Sequence, residues 1–402
     1  MSSIPLANLS LFPATPEQTL ESRKRTAVQW ANGLTAAEYV RRDVVMDAQE
    51  HAAEGNLTTW VLAPRTDPAT LDFFCSCETF RRTAAIARPG AHSEAEEVVA
   101  YGVASVYTPP EKRRNGYARH MMRLLHWVLA PRSTLPTFPP AWGAPPDAGH
   151  GNAQFSILYS DLGSQFYHAC GPDEDQASGW AELGSIETSL TLPLVAILGS
   201  AADSSHSWMW LTEDDVKRVW EQDAEWMKAD LAASASSTGR LQAAFLPNKG
   251  VADSTVQRTM AFQADMQPVL PLDTWGVFLL SHEGAALRDV LTDHEGEYPT
   301  FATWSLDTLA SSRTLIVTRL RATKRTLPAL VQQLLEYAGK CDARKIEIWG
   351  MQEELQEVAN GLGWTTSARP NHLSSFKWYG KEVGEEIDWM FNEKGRQLVS
   401  LR

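Results

Sequence analysis

The residues with the clearest chemical potential are Arg113, Arg114, Asn115, Gly116, Tyr117 and Ala118, which run from a charged turn into an apolar helix stripe. A turn of this kind collects backbone N–H groups at the positive end of a helix dipole. Gly116 leaves the main chain bare where an anion must approach, Ala118 keeps the next turn slim, and Arg113 or Arg114 adds charge-assisted hydrogen bonds. Two readings of the residues stand side by side: a cradle for a diphosphate-bearing ligand, and an ordinary solvated turn. Neither G-x-x-x-x-G-K-[ST] nor G-x-G-x-x-G after a first strand occurs here, so nucleotide hydrolysis and dinucleotide redox chemistry lose their main support.

The elements around that turn follow from pattern. Val98–Thr108 is rich in β-branched and aromatic residues and is halted by Pro109 and Pro110. Beyond it, Ala118, Met121, Met122, Leu125, Val128 and Leu129 repeat with helical period. Upstream, the sequence predicts helices near Thr15–Trp30 and Thr35–Ala52 and strands Thr58–Leu62 and Leu71–Phe80. Downstream, six prolines between Pro131 and Pro146 predict an extended insertion or a mobile loop. Phe155–Tyr159 then reads as a strand, Ser164–Cys170 as a short helix, Ile186–Leu192 as a strand and Ser200–Ser205 as a linker.

The second half opens with a helix carrying Val216, Val219, Trp220, Asp223, Trp226 and Met227, followed by a Ser/Ala-rich loop through Gly239. It closes with strand Thr314–Leu320, helix Leu327–Ala338, strand Ile346–Trp349, helix Glu353–Leu362 and strand Ser375–Tyr379. This order repeats that of Val98–Leu192 and points to a faint internal duplication.

The 402 residues exceed one ordinary core, so two domains are expected, 1–199 and 206–402. No apolar run approaches the ~18–20 residues of a membrane helix, and the first residues carry no secretory signal, so the expectation is a cytoplasmic protein without a membrane partner. Four scattered cysteines argue against a disulfide framework or a zinc site. A net charge of −13 disfavours nucleic acid and suits a cationic or amine substrate.

The segment Val106-Tyr107-Thr108-Pro109-Pro110-Glu111-Lys112-Arg113-Arg114-Asn115-Gly116-Tyr117-Ala118 resembles the signature of the GNAT acetyltransferase superfamily, a strand, a Pro-Glu turn and Q/R-x-x-G-x-G/A opening a helix. The resemblance covers roughly Thr58 to Leu192. It implies an α/β (α+β) fold of tandem GNAT-like mixed sheets flanked by helices, and acetyl transfer from acetyl-CoA to an amine by direct attack, with no metal. In that family the strand splays after its midpoint, so Val106, Tyr107 and Thr108 would meet the acetyl and pantetheine arm, while Arg113, Arg114, Asn115, Gly116, Tyr117, Ala118 and Arg119 would hold the pyrophosphate. Gln165–Gly171 is similar to the family's Tyr-x-x-x-Gly helix end, which makes Tyr167 the candidate general acid for the leaving thiolate. Ser160 stands where many relatives place a pantetheine-binding asparagine. Asp161 beside it reads either as a helix N-cap or as a substrate-binding carboxylate.

An amine of pKa ~10.4 is deprotonated in about one molecule per few thousand at pH 7, so a base is required. The strand interior from Ala100 to Tyr107 holds no acid. Glu96 and Glu97 lie at its start, and Tyr101, Ser105 and Tyr107 offer only relays through water. In the second copy, Arg321–Thr326 contains no glycine and Pro328 opens the helix, so that unit is expected to be degenerate and to wall the substrate cleft. The tandem layout, with Leu158–Gly163 and Phe376–Gly380, resembles the fungal lysine N-acetyltransferases of lysine catabolism, which implies free L-lysine or a related small amine as acceptor. The rival expectations are a protein or peptide acetyltransferase, acting on lysine side chains or N-termini, and a non-catalytic acyl-CoA-binding module.

Overall fold

The computed structural model describes residues 4–390 apart from 32, 91–92, 148–150, 175–177, 194–205, 264–269, 271, 293–298, 309–312 and 383–385. The expected linker Ser200–Ser205 lies outside the described residues. Strand β1 (Leu9–Pro13) leads into helices α1 (Pro16–Trp30) and α2 (Ala36–Asp47), each started by a capping box, Thr15 with Gln18 and Thr35 with Glu38. Antiparallel strands β2 (Leu57–Pro64), β3 (Cys75–Ala87) and β4 (Ala95–Tyr107) follow. Strand β3 starts later and runs further than Leu71–Phe80. Its second half, small and alanine-rich, is held between two neighbouring strands, one of them from the second half of the chain.

Helix α3 (Tyr117–Leu129) returns the chain to β5 (Phe155–Ser160), which lies parallel to β4, and α4 (Ser164–His168) follows. The proline-rich insertion between α3 and β5 forms two short 3-10 turns, Arg132–Thr134 and Pro140–Trp142. Phe138 packs edge-on against both Trp127 and Trp142, which anchors this segment on the first core.

Next come β6 (Ala181–Glu182), β7 (Ile186–Thr191), β8 (Trp208–Leu211) and the long helix α5 (Glu213–Thr238). The Ser/Ala-rich segment expected as a loop is the last two turns of α5. Alanine favours the helix, Leu231 and Ala235 are buried, and Gly239 ends it in the left-handed conformation. Strand β9 (Leu241–Phe245), α6 (Asp253–Gln263), β10 (Gly276–Leu279), α7 (Leu287–Thr292) and β11 (Phe301–Asp307) lead to the clearest repeat, β12 (Thr314–Arg321), α8 (Leu327–Lys340) and β13 (Lys345–Trp349). Helix α9 (Glu353–Gly361) and strands β14 (Thr365–Ala368), β15 (Leu373–Trp378) and β16 (Ile387–Trp389) complete the described chain.

The fold is α/β, with two mixed sheets flanked by helices. One sheet runs β1-β2-β3-β4-β5-β15-β6, with β9 and β16 attached beside β3, and the other runs β14-β7-β13-β12-β11-β10-β8. The parallel pair β12–β13, joined through α8, repeats the parallel pair β4–β5, joined through α3. The halves also trade strands. Strand β7 pairs with β13 and β14 in the second sheet, while β15 pairs with β5 and β6 in the first. The residue after β15, Tyr379, is buried in the first core, where its hydroxyl is 2.8 Å from His126 Nδ1 and 2.9 Å from Ser156 Oγ. Among the described residues no helix is long and apolar enough to cross a membrane.

Candidate active site

The site begins with a fault in the ladder between β3 and β4. Ser76 pairs with Tyr107 but Glu78 pairs with Ala104, so β4 carries one extra residue there. Ser105 takes it up at φ +56°, a left-handed conformation that non-glycine residues seldom adopt. On its other edge β4 pairs with β5 only at Ala100–Gly102 against Phe155–Ile157. Beyond Gly102 the parallel strands part, and the Val103–Thr108 edge that faced β5 is left to other partners.

A cavity of about 450 Å³ fills the wedge, bounded by Val103–Thr108 on one side, Leu158 and Tyr159 on the other, and Tyr167 and Ala118. Trp30 of α1 closes another side and packs edge-on to Tyr107 at 5.9 Å. A second cavity, about 260 Å³, adjoins it along Arg114, Gly116, Tyr117 and Arg119 and shares Thr108, Arg113, Ala118 and Phe166 with it. The two form one path from the helix start into the wedge.

The turn that opens α3 is built for exposed amides. Arg114 sits at φ +65° and Gly116, the N-cap, at φ +79°, so the chain reverses twice before the helix begins. The first intrahelical bond is His120 N–H to Gly116 C=O, which leaves the amides of Tyr117, Ala118 and Arg119 without a carbonyl one turn back. A turn of this shape with a helix start behind it is an anion nest. The residues present therefore fit a pyrophosphate. Arg113 Nε donates to the Thr108 carbonyl at 2.9 Å, which fixes the guanidinium between the two cavities. Lys112 is committed elsewhere, 2.5 Å from Asp72 Oδ1. Asn115 lines neither cavity; its side-chain amide donates to the carbonyls of Lys112 and Arg113 and braces the turn.

Tyr167 is buried at the wedge between Phe166 and Trp180. Burial, with smaller contributions led by Cys170, pushes its phenol far above the ordinary value, so it keeps its proton across the neutral range. Cys170 is buried, donates to the Phe166 carbonyl at 3.1 Å and is pushed up by burial to about 12, which excludes it as a neutral-pH nucleophile.

Ser160 does not line the cavity. Its hydroxyl donates to the Gly163 carbonyl at 2.7 Å and accepts from Leu162 N–H at 3.1 Å, so it shapes the loop before α4. The capping reading of Asp161 does not hold, because the N-cap of α4 is Gly163, with no side-chain bond. Asp161 instead lines the cavity and accepts the His372 main-chain N–H at 2.9 Å. Burial raises this carboxyl, but the His372 side chain and backbone together outweigh it and hold the carboxyl below its ordinary value.

The sequence did not reveal three lining groups. Gln29 and Trp30 come from the end of α1, and His372 comes from the loop before β15 in the second half. Nor did it reveal the partner of Ser105, the buried Glu78. The signal available was one acid in the run Cys75–Phe80. Glu96 and Glu97 lie at the other end of β4 in ion pairs with Arg88, Lys228 and Lys249 and do not line the wedge. Among the described residues no group of three ligand-type side chains is placed to hold a metal.

The second copy lacks the nest. Thr326 Oγ1 accepts Thr323 N–H at 3.0 Å and Thr323 Oγ1 accepts Thr326 N–H at 3.2 Å, so the loop before α8 satisfies its own amides. Pro328 adds no donor.

Residues 196–397, half of the chain, match the family described as the LYC1 GNAT-like C-terminal domain. Among solved structures, a conserved protein of unknown function from Enterococcus faecalis V583, described as a probable N-acyltransferase, shares the fold with a TM-score of 0.54 at 10% identity, over 92% of this chain and 73% of that one. A GCN5-related N-acetyltransferase from Kribbella flavida aligns with a TM-score of 0.48 at 15% identity, over 92% of this chain and 71% of that one. A tandem GNAT protein from the clavulanic acid biosynthesis pathway aligns with a TM-score of 0.45 at 10% identity, over 93% of this chain and 99% of that one. No curated protein matches the chain in sequence.

Proposed function

Because the chain belongs to the GNAT family of the LYC1 GNAT-like C-terminal domain, we propose that it is an acetyl-CoA-dependent N-acetyltransferase acting by direct attack on the side-chain amine of free L-lysine or a related small amine. The observation that carries the reading is the continuous path from the Arg114–Arg119 nest into the wedge where β4 leaves β5.

In this reading the amides of Gly116–Arg119 and the Arg113 and Arg114 guanidiniums hold the pyrophosphate. The free edge of Val106–Thr108 takes the pantetheine arm, and Ser160 supports the adjoining loop without touching it. Acetyl-CoA supplies an acetyl group already activated as a thioester. In this reading a main-chain N–H of the Val106–Thr108 edge meets the oxyanion that develops on attack, worth a few kcal/mol when preorganised. Tyr167 holds a proton at its phenol oxygen for the departing sulfur. Asp161 faces the acceptor and favours a cationic one. The cavity, about 450 Å³ and lined on one side by His372 from the second half, has the size of a small-molecule pocket, which favours a small amine as acceptor.

The test is thiol release from acetyl-CoA with a panel of free amino acids, polyamines and lysine-containing peptides, using Tyr167→Phe as control. Turnover with free lysine or another small amine, reduced about 10²–10⁴-fold in the control, is expected. Turnover with peptides alone moves the acceptor to a polypeptide. Tight acetyl-CoA binding with no turnover on any amine makes the protein an acyl-CoA-binding module instead.

A further inference from the structure

A buried carboxylate meets a hydroxyl that lines the wedge. The left-handed turn at Ser105 swings its Oγ onto Glu78 of β3, where it donates to Oε2 at 2.7 Å, and Ser105 also lines the cavity. Glu78 itself is 2% exposed and does not line the cavity, and Ser105 links it to the space a ligand would occupy. The extra residue in β4 creates this juxtaposition; without it, Ser105 would follow the regular pleat of the strand.

Resting on the acetyltransferase reading, we propose that Ser105 and Glu78 together take the proton from the acceptor amine, with Ser105 touching the amine and Glu78 the terminal proton acceptor behind it. The entering ammonium passes one N–H proton to Ser105 Oγ as the Ser105 hydroxyl proton moves to the Glu78 carboxylate. The freed nitrogen lone pair then forms the C–N bond to the thioester carbon. When the C–S bond breaks, the sulfur leaves with the electron pair and takes the Tyr167 proton, and the second nitrogen proton makes good the phenol through solvent. Glu78 returns its proton to bulk water, so the sum is ammonium plus thioester to amide, thiol and one proton.

Glu78 is packed between two strands and faces charged groups from α1 and α2. On the sheet it lies between Thr59 of β2 and Ala104 of β4. From α2, Asp47 senses its charge; burial holds that carboxyl above its ordinary value, opposed by Arg23 of α1, 2.5 Å away, with Glu78 adding to the rise. The neighbouring Cys77 thiol is pushed well up by burial first, with smaller contributions from Cys75 and Glu78. Asp47 and Cys77 are titratable groups whose charge couples to Glu78 in a pH profile of this pair.

The experiment compares the full chain with Glu78→Gln, Glu78→Asp and Ser105→Gly, measuring acetyl-CoA affinity by calorimetry, the thermal midpoint, and kcat and KM against pH on the best amine of the panel. Glu78→Gln should keep acetyl-CoA affinity and amine KM within about twofold while kcat at neutral pH falls about 10²–10⁴-fold. Its rate should climb tenfold per pH unit into the alkaline range, because only the free amine then reacts. Glu78→Asp should restore part of the neutral rate. Ser105→Gly places a residue that accepts positive φ where serine is strained, so it should keep or raise the thermal midpoint and still show the alkaline profile. A neutral kcat unchanged in Glu78→Gln or in Ser105→Gly overturns the pair alone. Absence of acetyl-CoA binding by the wild type overturns the acetyltransferase reading itself, and the pair's role with it.

Discussion

Asp161 Oδ1 lies 2.9 Å from His372 Nδ1 and accepts the main-chain N–H of the same residue at 2.9 Å. One carboxylate on the loop after β5 thus fastens the loop before β15 at the edge of the wedge. His372 stands at φ +52° and stacks on Trp349, and the Arg369 guanidinium also lies over that ring, 3.7 Å from its centroid. The fastening is therefore a contact between the two halves of the chain, seated on an aromatic of β13.

Removing the carboxylate should loosen the acceptor end without touching the coenzyme end. Asp161→Ala is expected to raise the amine KM about tenfold or more and to leave acetyl-CoA affinity unchanged, measured by initial rates and by calorimetry. Equal losses in both would place Asp161 in the coenzyme path.

The same contact has an acid limit. The Asp161 carboxyl is held below its ordinary value in the folded chain, so its contribution is present above the unfolded pKa, about 3.9, and is lost as pH falls through the folded value. The thermal midpoint of Asp161→Asn should fall short of the wild type above about pH 5, with the difference closing as pH drops below about 4. A gap that widens on acidification would contradict the contact. Asp161 is half exposed, so the effect should be small and salt-sensitive.

Gly116 tests the nest. A Cβ there would meet only Leu6 Cδ1 at 3.8 Å, so space is available and the obstacle is the φ of +79°. Left-handed backbone costs an L residue about 1–2 kcal/mol, which predicts that Gly116→Ala weakens acetyl-CoA binding about 5–30-fold. Gly116→Asn, better tolerated at positive φ, should recover part of that loss. Equal affinities for all three would separate the turn from the coenzyme.

Asp223 on α5 is fully buried and receives Arg319 Nε at 2.6 Å and Arg321 Nε at 2.5 Å, both from β12. Asp223→Ala leaves two guanidiniums crowded without this acceptor and should destabilise the chain by about 3–5 kcal/mol, read by denaturant unfolding. Because this cluster lies in the second sheet, calorimetric acetyl-CoA affinity below the transition should be preserved.

The strand, proline stop and helix around Gly116 were legible because each leaves a local mark: β-branched runs, Pro109–Pro110, and a 3.6-residue stripe through α3. Tyr167 was singled out by the resemblance of Gln165–Gly171 to the family's Tyr-x-x-x-Gly helix end. The sequence reads Ile186–Leu192 and Ser375–Tyr379 as strands, but its pattern is silent on which sheet receives them, and each joined the other half. Glu78 and His372 escaped because their roles come from cross-strand register and from a loop in the other half. The turns of α5 from Ala232 to Thr238 escaped because serine favours loops and caps, while alanine propensity and buried packing prevailed.

The exchange of β7 and β15 also bears on inheritance. Each of these strands is an interior rung, β15 between β5 and β6 and β7 between β13 and β14. A gene encoding only one half would yield a sheet interrupted in its middle, with bare edges inviting aggregation. The second unit is thus held in the chain by geometry: its loop between Thr323 and Thr326 can vary, but its strands cannot be discarded.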